Sequence, residues 1–342
     1  MKPKILLIGG FGWCATSPLV YTLQRNAKYA HFGYTKQFRY LGAERNPSYR
    51  GDPNLSPMLK HLYDRVKNGT WENHQRYKPA THNMNLSIDL EPLYDFPISH
   101  FDKLMSGERS ERKQLDFLHA LHDHVVSKGY KSVGDCRIGY KAFRKDLREF
   151  CKLLMFEFDV KFLFITRDPV RRAYSEFLFR LEKKREGCPD GSVTIDLAAD
   201  ARNSDGEIPD IFQVVYAGPI EIMYTDYMTK KIKLADQIFG KDNVYAVAME
   251  DLWEDDGTAK KELSNFLDHP IDNLWKNLYS PDIGHHVKFD KDVPCQAYGQ
   301  NLELKPDTYY SLKKQCQYIY DEWKDYYGSL PLYWGEPLDY KL

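Results

Sequence analysis

Between Met1 and Ala43 the chain has no aspartate or glutamate, although Lys2, Lys4, Arg25, Lys28, Lys36 and Arg39 all fall there. A segment charged with one sign suits an anionic ligand. Over the whole chain the charges balance to a formal −1, which argues against a general nucleic-acid binder. Cysteine is sparse: Cys14, Cys136, Cys151, Cys188, Cys295 and Cys316 lie far apart and never at CxxC spacing. Neither a zinc site nor a compact disulfide framework is indicated, and reduced thiols are expected. Long apolar runs are missing too, the stretch from Lys4 to Gly10 being far too short to span a bilayer. No basic segment leads into a long apolar run at the start, so a soluble cytoplasmic protein without a membrane partner is expected. No repeats or low-complexity runs occur.

Two segments stand out against these absences. Phe162 to Thr166 is a buried-type apolar run that ends in Arg167-Asp168-Pro169, after which apolar residues resume at helical spacing. Pro169 fits the first turn of a helix, and Arg167, Arg171, Arg172 and Ser175 cluster around its start. Helix N-termini favour anions, and guanidinium forks match the paired oxygens of phosphate or sulfate. An ordinary strand-to-helix corner with solvated arginines is the plainer alternative. The second segment is Lys4 to Ile8, a strand-like run followed by Gly9-Gly10-Phe11-Gly12-Trp13-Cys14-Ala15-Thr16-Ser17 and a helical stretch from Pro18 to Gln24. Glycines let backbone approach a ligand and turn N–H groups inward, while Thr16 and Ser17 bring hydroxyls to the helix entrance.

Three phosphate loops compete for this turn. A Walker loop ends in Gly-Lys-Ser/Thr, yet no lysine follows these glycines before Lys28. Gly10 to Ala15 satisfies GxGxxA, but no acidic residue appears before Glu44 to take a ribose about twenty residues onward. The pair of segments together resembles the sulfotransferases that use 3′-phosphoadenosine-5′-phosphosulfate (PAPS). Their loop Gly-x-x-Lys-x-Gly-Thr-Ser/Thr is matched here by Gly10, Ala15, Thr16 and Ser17, and their Arg-Asp-Pro-x-x-Arg-x-x-Ser signature by Arg167, Asp168, Pro169, Arg172 and Ser175. Looser similarities are Thr35 to Tyr40 to the family's Lys-Glu segment, and Val133 to Tyr140 to its Gly-Glu-Lys-x-Pro-x-Tyr strand end. Asn243 to Leu252, with its Glu250-Asp251-Leu252 corner, and Pro306 to Gly328 are similar to the family's later strand and closing helix.

The resemblance implies that Gly10, Phe11, Gly12, Trp13, Cys14, Ala15, Thr16 and Ser17 hold the 5′-phosphosulfate, and that Arg167 and Ser175 hold the 3′-phosphate. It implies PAPS as cofactor, 3′,5′-ADP as product and no metal. The acceptor it implies is a hydroxyl or amine on a small molecule or a glycan. Two positions depart from the family: Trp13 stands at the loop lysine, and Gln37 at the glutamate that serves as base. Lys36 or Arg137 is the candidate replacement cation, and Asp135, at the end of a strand, the candidate base. A catalytically degenerate nucleotide-binding or interaction protein on the same fold is the alternative, with a nucleoside-phosphate kinase third.

Strands near Lys4, Lys131 and Lys161 alternate with helical patterns at Glu111 to Lys128 and Phe143 to Phe156. Such alternation predicts an α/β fold with a central parallel sheet covered by helices on both faces, and the resemblance makes it a P-loop-type three-layer fold. We expect one sulfotransferase-like domain over residues 1–342, with an irregular or helical insert at about 42–128 that contributes to acceptor binding. In that insert a short helix is predicted at Pro57 to Lys67, and Tyr49, Trp71, Tyr77 and Tyr94 are candidate acceptor platforms or simply packing. Glu186 to Pro209 reads as a loop able to rim the site. In Glu111 to Lys128, Leu115, Leu118, Leu121, Val125 and Val126 form the predicted apolar face, and in the closing helix Tyr309, Leu312, Cys316, Ile319, Tyr320 and Trp323 do so. His119, His122 and His124 lack the i,i+4 spacing of a helical metal pair, and His285-His286 lacks neighbouring ligands.

Overall fold

The computed structural model of the protein describes residues 2–10, 19, 23, 28–31, 95–106, 110–135, 145–173, 228–253, 257–271 and 306–336. Within them, five strands form one sheet: β1 (Lys4–Gly10), β2 (Tyr29–His31), β3 (Ser132–Asp135), β4 (Asp159–Thr166) and β5 (Val244–Ala248), in the order β2-β3-β1-β4-β5. Every pairing is parallel, with Lys4 opposite Asp159 and Gly10 opposite Ile165. The expected α/β architecture is therefore what the chain adopts. Successive strand side chains point to opposite faces, and Phe162, Leu163, Phe164 and Ile165 are all at most 1% exposed, so both faces are covered. That double burial is why β1 and β4 are written as continuous apolar runs.

Besides helical residues at 19, 23 and from 169 onward, the helices among the described residues are α1 (Ile98–Met105), α2 (Glu111–Ser127), α3 (Lys145–Glu157), α4 (Met228–Phe239), α5 (Met249–Trp253), α6 (Thr258–Leu267), α7 (Pro306–Gln315) and α8 (Gln317–Tyr327). Ser110 caps α2 by accepting from the Lys113 N–H at 3.2 Å. From there Leu115, Leu118, Leu121 and Val125 turn inward at helical spacing, joined by Phe117. Val126, expected on that face, is exposed. The anticipated single closing helix is two, parted at Cys316, whose backbone stands at φ −109 and ψ 21. All six of its expected apolar residues are nonetheless buried, since the one-residue interruption keeps the same side facing in. The short edge strand β2 was not anticipated: three residues cannot display an alternation. Among the described residues no helix is long and apolar enough to cross a membrane.

The lysines of the N-terminal segment correct the reading made from charge. Lys2 donates to the Met155 carbonyl at 3.0 Å, and Lys4 pairs with Asp268 at 3.6 Å. Both flank the start of β1, about 20 Å along the strand from Gly10. At that edge Lys131 and Lys161 also converge on the end of α6, donating to the carbonyls of Phe266, Leu267 and Asp268. Cations there complement the negative end of the helix. Part of the one-signed charge thus serves this edge rather than an anion at the other.

Gly9 lies within β1, and its missing side chain serves packing. A Cβ there would stand 2.7 and 2.8 Å from two Phe162 ring atoms and 2.9 Å from Phe164, and these rings are clamped against each other and Phe239. Replacing Gly9 by alanine should lower the unfolding free energy by about 1–2 kcal/mol through overpacking. A urea midpoint equal to wild type would mean that the rings have room to retreat.

Candidate functional site

Because all strands run parallel, the residues that end them share one edge of the sheet. The connection leaving β1 heads for β2 on one side, and that leaving β4 heads for β5 on the other. Between two such strands an open α/β sheet forms a crevice beyond the carboxyl ends. The glycine turn begins at the end of β1, and the Arg-Asp-Pro corner begins one residue past Thr166, which ends β4. Since Gly10 pairs with Ile165, the two segments leave the sheet side by side.

The corner is buried. Arg167 is 9% exposed, Arg171 2%, Arg172 1% and Asp168 0%, so the arginines are not the solvated surface charges of the plainer reading. Asp168 explains the local geometry. Its Oδ1 accepts from the N–H groups of Val170 (3.0 Å) and Arg171 (3.1 Å), the N-cap pattern for a helix that begins at 169 with proline in its first position. Its Oδ2 accepts from the Tyr309 hydroxyl (2.8 Å), the Tyr320 hydroxyl (3.0 Å) and the Gly335 N–H (3.2 Å). One carboxylate thereby joins the corner to α7, α8 and the turn after α8. Burial, with the Asp168 charge adding to it, pushes both tyrosine hydroxyls far up, so they remain protonated donors.

Glu250, two residues past β5 in α5, is the second buried carboxylate, 1% exposed. Its Oε1 accepts from the Asp168 N–H at 3.1 Å and lies 3.7 Å from Arg171 and 3.9 Å from Arg167 Nε. Its Oε2 accepts from the indole N–H of Trp334 at 3.1 Å. Burial raises its carboxyl above the ordinary range, Arg167 and Arg171 pull it down, and Asp168 pushes it up. Both oxygens accept from N–H donors, and the two arginines beside them favour the ionised form against the burial and the Asp168 charge. Arg171 completes the network by donating to the carbonyls of Tyr333 (2.8 Å) and Glu336, and by lying over the Tyr309 ring. Among the described residues the corner brings together three buried arginines and two buried carboxylates, and guanidinium is a donor group that fits an anion.

Of the sequence-predicted site residues, Gly10 ends β1 and Arg167 stands at the corner. Asp135 ends β3 at the level of Leu7, three residues before β1 ends. Phe11, Gly12, Trp13, Cys14, Ala15, Thr16, Ser17, Lys36, Gln37, Arg137 and Ser175 lie outside the described residues, as do the helix expected at 57–67 and the loop at 186–209. Sequence reasoning gave Glu250 no role, although the signal that singled out Asp135, a carboxylate at the end of an apolar strand, applies to it equally. Trp334 and Gly335 carried no signal, because their value lies in contacts some 84 and 167 positions away along the chain. Cys151 and Cys316 are buried thiols outside any disulfide, and burial pushes the Cys151 thiol up to about 12.

No protein-family model and no curated protein matches the chain. Among solved structures it is similar to a sulfotransferase from Alicyclobacillus acidocaldarius, at 14% identity over 97% of this chain and 98% of that one, with a TM-score of 0.45. It is also similar to the sulfotransferase domain from the curacin biosynthetic pathway, at 11% identity over 93% and 98%, with a TM-score of 0.40. A third is retinol dehydratase in complex with androsterone and inactive cofactor PAP, at 13% identity over 95% and 82%, with a TM-score of 0.39.

Proposed function

We propose that this protein is a sulfotransferase that takes its sulfuryl group from PAPS and passes it to a hydroxyl or amine of a small-molecule or glycan acceptor. The observation that carries the reading is the adjacency of the glycine turn and the buried, arginine-rich Arg-Asp-Pro corner on neighbouring strands β1 and β4, at the crevice where the connections diverge. A nucleotide with phosphates at both ends needs two anion subsites, and the chain has two anion-type segments there.

The bound nucleotide supplies the sulfuryl group and is left as 3′,5′-ADP. In this reading the backbone N–H groups from Gly10 to Ser17, with the Thr16 and Ser17 hydroxyls, bind the 5′-phosphosulfate. Arg167 and Ser175 bind the 3′-phosphate. Asp135 takes the proton from the acceptor, and Lys36 or Arg137 brings the positive charge that Trp13 cannot. Transfer of this kind asks a protein chiefly for positioning and charge stabilisation. A correctly placed base adds about 10²- to 10⁴-fold to the rate.

Calorimetry with 3′,5′-ADP against 5′-ADP tests the reading. The 3′-phosphate should be preferred. A preference for 5′-ADP, or no binding of either, would sink it. Preferred binding of 3′,5′-ADP with no turnover of PAPS across a broad acceptor panel would instead identify a protein that keeps the nucleotide site without the chemistry.

A further inference from the structure

The network behind the corner extends to a segment far along the chain. Gly335 donates to Asp168, Arg171 donates to the carbonyls of Tyr333 and Glu336, and Trp334 donates to Glu250, which in turn faces Arg167. Trp334 is itself fixed: it is 4% exposed, lies 4.7 Å from the Trp323 ring and meets Tyr320 edge-on at 6.2 Å. Lys313 holds the Gly335 carbonyl at 2.6 Å, and Tyr310 donates to Glu336 at 2.9 Å. These contacts leave residues 333–336 little freedom.

We infer that this segment is part of the anion site, with Trp334 and Glu250 acting as positioning residues for Arg167. The inference rests on the sulfotransferase reading above. The two oxygens of Glu250 have separate duties. Oε2 is taken by the Trp334 indole, which turns the carboxylate so that Oε1 faces the Asp168 N–H, Arg171 and the Nε side of Arg167. At 3.9 Å Glu250 draws the Nε side of Arg167 by charge rather than by a hydrogen bond, and a guanidinium oriented that way binds paired phosphate oxygens through its NH1–NH2 edge. Without the indole N–H the carboxylate is free to rotate toward the arginines and compete with the anion for them. Affinity for a 3′-phosphate then depends on an N–H that acts two side chains away.

Calorimetry on Trp334→Phe, which keeps a ring and removes the N–H, reads this out. Affinity for 3′,5′-ADP should fall about tenfold, the size of one charge-assisted contact loosened, while affinity for 5′-AMP, which lacks the 3′-phosphate, stays as in wild type. In an Arg167→Ala background the same change should have no further effect, because both act on one interaction. Equal losses for both nucleotides, or full additivity with Arg167→Ala, would overturn the inference and leave a structural role alone. If the wild-type protein does not bind 3′,5′-ADP, the functional reading falls and this inference falls with it. Should Trp334→Phe fail to fold, hydrogen exchange on the wild-type protein decides. Exchange across residues 331–336 should slow more under 3′,5′-ADP than under 5′-AMP at matched saturation, and equal slowing counts against the segment.

Discussion

Replacing Asp168 by alanine should lower the unfolding free energy by about 3–5 kcal/mol, the largest effect expected of any single change at the site. The carboxylate is fully buried and accepts from five donors, three of which come from α7, α8 and the turn beyond. Alanine removes the N-cap, which by itself costs about 1 kcal/mol, and leaves buried donors without an acceptor at about 1–3 kcal/mol each. It also removes one of the two buried carboxylates from a corner that holds three buried arginines. Water entering the vacated space recovers part of this, so the sum stays below the simple total. Asparagine should fall between the two. Its amide can donate to the Tyr309 and Tyr320 hydroxyls, which rotate to accept, but it cannot satisfy the Gly335 N–H as well. Urea unfolding of the three proteins measures the order directly. An alanine variant within about 1 kcal/mol of wild type would show that these donors find partners elsewhere.

Replacing Arg167 by alanine should weaken 3′,5′-ADP binding by about 10- to 150-fold, equivalent to the roughly 1.5–3 kcal/mol of a hydrogen bond to a charged group. The effect lies at the upper end for a physical reason. Arg167 is 9% exposed and its neighbours Arg171 and Arg172 are more buried still, so an anion arriving there is poorly screened by water and salt. Lysine should restore only part of the affinity, since an ammonium lacks the planar fork. Affinity for 5′-AMP should not change. If Arg167→Ala binds 3′,5′-ADP as tightly as wild type, Arg167 does not belong to the site.

The central strands were legible because β1 and β4 are buried on both faces and must therefore be apolar without interruption. The helices were legible where one face alone is buried, as in Leu115, Leu118, Leu121 and Val125. β2 escaped notice for lack of length, and the break at Cys316 because one turn residue leaves the spacing of Tyr309, Leu312, Ile319 and Tyr320 undisturbed. At the site, the sequence pointed to the Arg-Asp-Pro corner but not to what holds it. Asp168 is a local cap and could be read from its neighbour Pro169. Its three other donors arrive from 141 to 167 positions away, and no local pattern encodes such contacts. The charge of the N-terminal segment was legible only in part for a related reason: a count does not say at which end of a strand Lys2 and Lys4 sit, and Arg25, Lys36 and Arg39 lie outside the described residues.

Those long separations also bear on how the chain is made. A nascent chain that has grown past Ala173 already carries the strand and the corner, yet every group that closes around Asp168 from α7, α8 and the Gly335 turn is still to be synthesised. Closing so large a loop takes entropy that is repaid only when the late segment docks. The contacts that fix the Arg-Asp-Pro corner therefore form late among those described. Until then the arginines of the corner stay open to solvent, and a chain released before Trp334 is added would have the sheet without the contacts that fix the corner.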